Sequence, residues 1–138
     1  MTNIDFYSTF NLLAAGTVEK YTFEKNKWFS FSSLPQKLRS VSSCVDESLY
    51  PNEVLYVLGG IDVTNQEVSD VIYFHHNVQG HDNWIVCGKL CSPRYRHTSA
   101  IYQGLIWSVG GVRNDNESLY VSYFVSIFLF HFCIVRVV

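Results

Sequence analysis

The sequence has little charge and no cluster of it. Only 16% of its 138 residues are charged, and 10 basic against 12 acidic side chains give a net charge of −2. A nucleic-acid-binding protein usually carries a basic run or a basic face, because phosphate contacts dominate that affinity. No such run is present, so we expect no nucleic-acid partner. With 48% hydrophobic and 16% aromatic residues, the composition excludes a disordered chain and fits one globular domain at most.

Cysteines are few and irregularly spaced. The four, Cys44, Cys87, Cys91 and Cys133, form no Cys-x-x-Cys pair, which disfavours a zinc knuckle and a disulfide framework. We expect Cys87 and Cys91 to be plain buried thiols; the alternative is a pair of redox-sensing thiols, for which Lys89 between them is the one activating group in the sequence. The first ten residues contain Asp5 and no basic stretch followed by an apolar one, so they do not resemble a targeting signal. We therefore predict reduced thiols and a cytoplasmic protein.

Motifs of catalysis and cofactor binding are also missing. The chain has no Gly-x-Gly-x-x-Gly and no phosphate-binding loop, and its serines and histidines show no spacing typical of a catalytic triad. His75 and His76 are neighbours in a strand pattern and point to opposite faces, which disfavours a metal site. We therefore predict no catalytic residue, no metal and no cofactor.

What the sequence does contain is an internal repeat. Residues 54–60 (VLYVLGG) recur 51 positions later as residues 105–111 (LIWSVGG), each an apolar stretch that ends in two glycines. The apolar stretches are short, rich in β-branched and aromatic residues, and separated by Gly, Pro, Asn and Asp, which favours strands over helices.

Aromatic residues repeat with nearly the same period. Tyr21 and Trp28 recur as Tyr73 and Trp84, 52 and 56 positions later. We predict that these four aromatic residues lie in the core. The double glycines are expected to have positive φ and to leave room for a neighbouring sheet, with the two tryptophans closing over them. The predicted structural glycines are Gly59, Gly60, Gly110 and Gly111.

This combination resembles the kelch repeat, in which two glycines, a later tyrosine and a tryptophan recur with a period near ~50 residues. The resemblance covers roughly residues 12–111. It implies an all-β fold of antiparallel four-stranded blades, about two to two and a half blades of an incomplete β-propeller. A propeller closes with roughly 4 to 8 blades. A chain of this length therefore cannot close a ring alone, and a partner chain could complete it.

Both ends depart from the repeat. We divide the chain into a degenerate start of a blade (residues 1–17), the repeat region (18–118) and an apolar tail (119–138) that lacks the expected tryptophan. Residues 119–135 contain no charged side chain. As a helix they would span about 25 Å, below the roughly 30 Å of a bilayer core. We therefore expect the tail to be a buried or aggregation-prone strand pair, and a borderline transmembrane helix, which would associate the protein with a membrane, is the less favoured alternative.

The resemblance also implies a binding surface. In kelch-like adaptors, the partner docks on one mouth of the ring, against the loop after the double glycine and the turn that carries arginines. We expect Arg96 to hold a carboxylate of an acidic partner through two parallel hydrogen bonds, and Arg94 either to contact the partner or to tie adjacent blades together through backbone carbonyls. The other matching positions are Arg39, Asp62, Val63, Asn65, Tyr95, His97, Arg113 and Asn114.

The function implied by the resemblance is non-enzymatic protein binding. The kelch-like adaptors select substrates for cullin-RING ubiquitin ligases through BTB and BACK domains, which these 138 residues do not contain. An actin-binding kelch protein is an alternative that fits the repeats equally well. A kelch-type propeller enzyme is a third, for which only Tyr95, Arg96 and His97 are grouped in sequence.

Overall fold

The chain, represented by a computed structural model, is built of short β-strands. The structure describes residues 6–8, 16–23, 25–46, 54–78, 81–113 and 123–126. Across these ranges there are twelve strands and no helix. The strands are β1 (Phe6–Ser8), β2 (Glu19–Thr22), β3 (Lys27–Ser30), β4 (Leu38–Arg39), β5 (Ser42–Asp46), β6 (Val54–Leu58), β7 (Ile61–Asp62), β8 (Val71–Val78), β9 (His81–Lys89), β10 (Thr98–Tyr102), β11 (Leu105–Val109) and β12 (Tyr123–Ser126).

Ten of these strands form three antiparallel sheets that follow one another along the chain. The central sheet has four strands in the order β5-β6-β8-β9, the first has the order β1-β2-β3 and the last has the order β10-β11-β12. Each strand pairs with the next strand of its sheet, which is the meander of a propeller blade. We call these sheets the first, central and last blades. The predicted all-β architecture of antiparallel blades is confirmed.

The blades stack face to face, and the core lies in the two layers between them. Alternate side chains of a strand point to opposite faces of its sheet. On the central blade, Val57 and Tyr73 face the first blade, where they pack with Val18 and Phe31. Leu58 and its neighbours on the other face pack with the last blade in the second layer. We call the face toward the preceding blade the rear face and the face toward the following blade the front face.

The repeated aromatic residues have different environments in the two repeats. Tyr73 is buried, and Trp84 packs beside it and donates from Nε1 to the Ser32 carbonyl of the first blade at 3.0 Å. Tyr21 and Trp28 lie 5.2 Å apart between ring centroids, yet Trp28 is 44% exposed. The prediction of a core position is wrong for Trp28, because in the described residues no blade packs against the rear face of the first blade.

The ends of the repeat region are only partly described. Tyr123–Ser126, within the predicted tail, form β12 and pair with β11 as the third strand of the last blade. The rest of the tail, residues 119–122 and 127–138, lies outside the described residues, as do residues 1–5 and 9–15 of the predicted blade start. Among the residues that the structure describes, there is no helix long and apolar enough to span a membrane.

Candidate functional site

The double glycines are joined to the turns between blades by short backbone pairings. Residues 34–41, which connect the first and central blades, contain β4, and β4 pairs with β7 just after Gly59 and Gly60. Residues 90–97 connect the central and last blades, and there Tyr95 forms a bridge with Val112, just after the second double glycine. The same arrangement therefore occurs twice. We call these segments the first connector (34–41) and the second connector (90–97).

Further backbone hydrogen bonds join the two copies into one surface. Gly60 N donates to Arg94 O at 2.8 Å, which links the loop after the first double glycine to the second connector. Arg96 N donates to Ser40 O at 3.1 Å, which links the two connectors directly. We call this surface the mouth, and define it as the two connectors together with residues 59–69 and 110–113.

The glycines of the mouth allow close backbone contact. Gly59, Gly60, Gly110 and Gly111 have φ values of +61°, +96°, +72° and +100°, in the region that side chains other than glycine rarely adopt. A Cβ on Gly60 would lie 2.6 Å from Val41 Cγ1, and one on Gly111 would lie 3.0 Å from His97 Cβ. The groups that close over the glycines are therefore the connectors, and the expectation that tryptophans do so is wrong.

Arg94 holds the second connector to the last blade. Its side chain is fully buried, and its Nη1 donates to the Gly110 carbonyl at 2.7 Å. Its counterpart in the first connector is Leu38, which is also buried. Of the two roles considered for Arg94, a tie between blades through a backbone carbonyl is confirmed.

His97 is buried beside both double glycines. Only 9% of it is exposed, and neither ring nitrogen has a hydrogen-bond partner within the described residues. Burial, and to a smaller extent the nearby positive charge of Arg94, lower the pKa of His97 to about 4. The ring is therefore neutral near pH 7 and faces the interior, which contradicts its predicted contact with a partner.

The carboxylate of Asp62 is also engaged in hydrogen bonds within the protein. Gln36 Nε2 and the Thr64 amide each donate to the carboxylate at 2.7 Å, from the first connector and from the turn after β7. These hydrogen bonds stabilise the charged form and lower the pKa of Asp62, with the Gln36 bond the larger cause. Asp62 is buried, so it shapes the loop and does not present its carboxylate to a partner as predicted.

The remaining predicted contact residues are accessible. Arg96 is exposed and stands over the Tyr95 ring, with 5.6 Å between its guanidinium carbon and the ring centroid. Arg39 is half-buried and donates from Nη2 to Gln66 Oε1 at 3.1 Å. Asn65 is also exposed, and its side chain donates to Glu67.

Two other predicted contact positions lie at the last double glycine. Arg113 is exposed, whereas Asn114 lies outside the described residues. The Arg96 amide donates to the carbonyl of Ser40, the residue after Arg39, and Arg113 follows Val112, which forms the bridge with Tyr95.

Sequence reasoning missed two backbone features of the mouth. Ser40 and Arg96 occupy the same position in the two connectors, and both have φ of +54°. Gln66, which accepts the hydrogen bond of Arg39, has φ of +61°. A side chain other than glycine in this region costs on the order of 1–3 kcal/mol. Aligning the two connectors in the sequence places Ser40 and Arg96 at the same position, and this alignment was the available signal that the two residues share a backbone conformation.

Other reactive groups are dispersed. Cys91 is exposed, so the prediction of a buried thiol is wrong for Cys91. Cys87 lies on the exposed outer strand β9, yet its thiol donates to the Ile72 carbonyl at 3.5 Å and burial raises its pKa to about 11. It is the extra residue at the irregularity in the pairing of β9 with β8. No group of three or more potential metal ligands occurs within the described ranges.

Comparisons with known proteins agree with this architecture. No protein-family model matches the chain. The chain is 28% identical over 106 residues to Kelch repeat protein C2 of vaccinia virus, from strains Western Reserve and Copenhagen. The match covers 76% of the chain and only 19% of those relatives. The solved structure of YjhT superposes with a TM-score of 0.65 at 16% identity, covering 88% of this chain and 38% of that one.

Proposed function

Because the chain is built from kelch repeats that form part of a β-propeller, we propose that its mouth binds an acidic segment of a partner protein. The kelch repeat and the propeller architecture suggest a protein-binding module. The chain covers about a fifth of the length of its curated relatives, so the proposal concerns the surface described above.

The charge of the mouth supports an acidic partner. Lys37, Arg96 and Arg113 are exposed there and Arg39 is half-buried. Two acidic residues lie in the described part of the mouth: Asp62 is buried in its own hydrogen bonds, and Glu67 is exposed and accepts a hydrogen bond from Asn65. Lys37, Arg39 and Arg96 therefore outnumber the one exposed carboxylate. A surface with an excess of one charge attracts segments of the opposite charge and speeds their association.

The observation that carries the proposal is the position of Arg96. Its guanidinium rests over an aromatic ring, and its backbone is fixed by the hydrogen bond to Ser40. A side chain held in this way loses less conformational freedom on binding, and a planar guanidinium can hold a carboxylate by two parallel hydrogen bonds. Arg39 lies one residue from that hydrogen bond, so a second arginine is available to the same acidic segment.

Charge reversal on the mouth tests the proposal. The chain would be titrated into a fluorescently labelled peptide rich in glutamate, at low and at high salt. Arg96→Glu combined with Arg39→Glu is expected to raise the Kd at least about tenfold, as the loss of anchoring arginines does at other interfaces. Lys25→Glu is the control, because Lys25 is exposed in the β2–β3 hairpin, at the end of the blade opposite the mouth. Equal binding by both variants would refute the proposal.

A role as a ubiquitin-ligase adaptor is supported by the resemblance to kelch-like adaptors alone. We propose that the bound partner is a substrate of a cullin-RING ubiquitin ligase and that recognition takes place in the cytoplasm. Affinity purification from cells tests this: since these residues include no BTB or BACK domain to bind a cullin, the supporting result is a captured protein whose cellular level rises when cullin-RING ligases are inhibited. Actin filaments in its place would favour the actin-binding alternative. Turnover of a sugar or alcohol substrate by the purified chain would favour the enzyme.

A further inference from the structure

Two blade faces are exposed at positions that are buried elsewhere in the same chain. Val109, on the front face of the last blade, is 42% exposed, whereas Leu58, at the same repeat position in the central blade, is 0% exposed. Trp28, on the rear face of the first blade, is 44% exposed, whereas Trp84 packs against the preceding blade. The difference is that Leu58 and Trp84 each meet a neighbouring blade.

These two faces have the chemistry of surfaces that pack together. The front face of the last blade also presents Tyr102, 62% exposed, and the rear face of the first blade presents Phe23, 46% exposed. Within the chain, a front face meets a rear face twice, once at each of the two core layers. Front faces of this repeat therefore pack against rear faces. The exposed front face of the last blade and the exposed rear face of the first blade are one of each, so they can form a third interface of the same type.

We propose that the front face of the last blade packs against the rear face of the first blade of a second copy of this chain. Two copies related in this way make two identical contacts and bring six sheets into one ring, within the roughly 4 to 8 blades that propellers use. A head-to-tail contact whose rotation closes after two copies gives a closed dimer and no filament. In such a ring, the mouths of the two copies lie at the same end and together surround the ring axis.

Mass measurement in solution tests the pairing. Light scattering during gel filtration of the full chain is expected to give twice the monomer mass of 15.9 kDa. Trp28→Arg and Val109→Arg are each expected to raise the dissociation constant of the dimer at least about tenfold, because an arginine then faces an apolar surface. Ile85→Arg is the matched control: Ile85 is 47% exposed, on the outer strand β9 of the central blade and away from both faces. All three sites are exposed within one copy, so circular dichroism should show an unchanged fold.

Mixing the two variants tests the direction of the contact. In a mixture, one contact of the mixed dimer joins the intact front face of the Trp28→Arg copy to the intact rear face of the Val109→Arg copy, and the other joins the two altered faces. Either variant alone forms no intact contact, so the mixed dimer is expected to exceed both homodimers. Contact between two rear faces predicts instead that Val109→Arg has no effect, and this result would overturn the proposal. A monomeric wild-type chain would also overturn it and would leave these faces to further blades of a longer polypeptide. A trimer or a filament would overturn the six-sheet ring. None of these results depends on whether the mouth binds an acidic segment.

Discussion

Replacement of His97 by valine is expected to remove a dependence of stability on pH. Valine is the residue at the same position of the first connector, Val41, and it packs against Gly60 there as His97 packs against Gly111. In the wild-type protein, His97 has a folded-state pKa of about 4 against an ordinary value of 6.5. The unfolded chain therefore takes up a proton at a higher pH than the folded chain does, and stability falls as the pH decreases from 6.5 toward 4.

The magnitude follows from the difference between the two pKa values. One pKa unit corresponds to about 1.4 kcal/mol, so the free energy of unfolding should fall by about 3 kcal/mol across this range because of His97 alone. Domains of this size are usually stable by roughly 5–15 kcal/mol, so the loss is a large share of the total. The His97→Val protein lacks this contribution at every pH.

Urea denaturation from pH 7.5 to pH 4 measures the effect. Plots of unfolding free energy against pH are expected to diverge below pH 6.5, with the steeper fall in the wild-type protein. Other titrating groups such as Asp62 are present in both proteins and cancel in the difference. Ile106→Val, at the same blade interface, is the control and should lower stability by a similar amount at each pH. Parallel curves for wild type and His97→Val would refute the buried, neutral histidine.

Five further substitutions, grouped in three tests, probe the blade packing by thermal or urea denaturation. Gly59→Ala and Gly104→Ala both place a side chain at positive φ, but only Gly59 is crowded by a connector. We expect Gly59→Ala to lower the free energy of unfolding by about 1–3 kcal/mol more than Gly104→Ala does. Equal losses would argue against the close approach of the connector. Leu58→Ala is expected to cost about 2–5 kcal/mol and Val109→Ala much less in the monomer, whereas similar losses would mean that Val109 is covered. Trp84→Phe should cost about 1 kcal/mol by removing the indole hydrogen bond to the first blade, and no loss would mean that this bond contributes nothing.

The repeat in the sequence predicted the fold because its signals are local. The double glycines, the short apolar strands and the tyrosines at a constant period specify a blade, whatever surrounds that blade. Burial, in contrast, depends on the neighbours of the blade. Trp28 and Trp84 stand at the same repeat position, yet only Trp84 has a blade against its face.

The site was predicted less completely, for a related reason. Asp62 and His97 lie in polar loop segments, where sequence reasoning expects exposed side chains. Their burial results from partners distant in sequence, such as Gln36 for Asp62. The positive φ of Ser40 and Arg96 could not be read from residue type, because neither is a glycine.

The backbone pairings at the mouth also determine how the protein comes apart. Since the connectors and the glycine loops hydrogen-bond to one another, opening the central blade breaks bonds that belong to both of its neighbours. In repeat architectures, stability is carried by such nearest-neighbour terms. The amides of β6 and β8 should therefore exchange with deuterium only in rare openings of the whole array, whereas those of β3, at an outer edge of the first blade, exchange through local fraying.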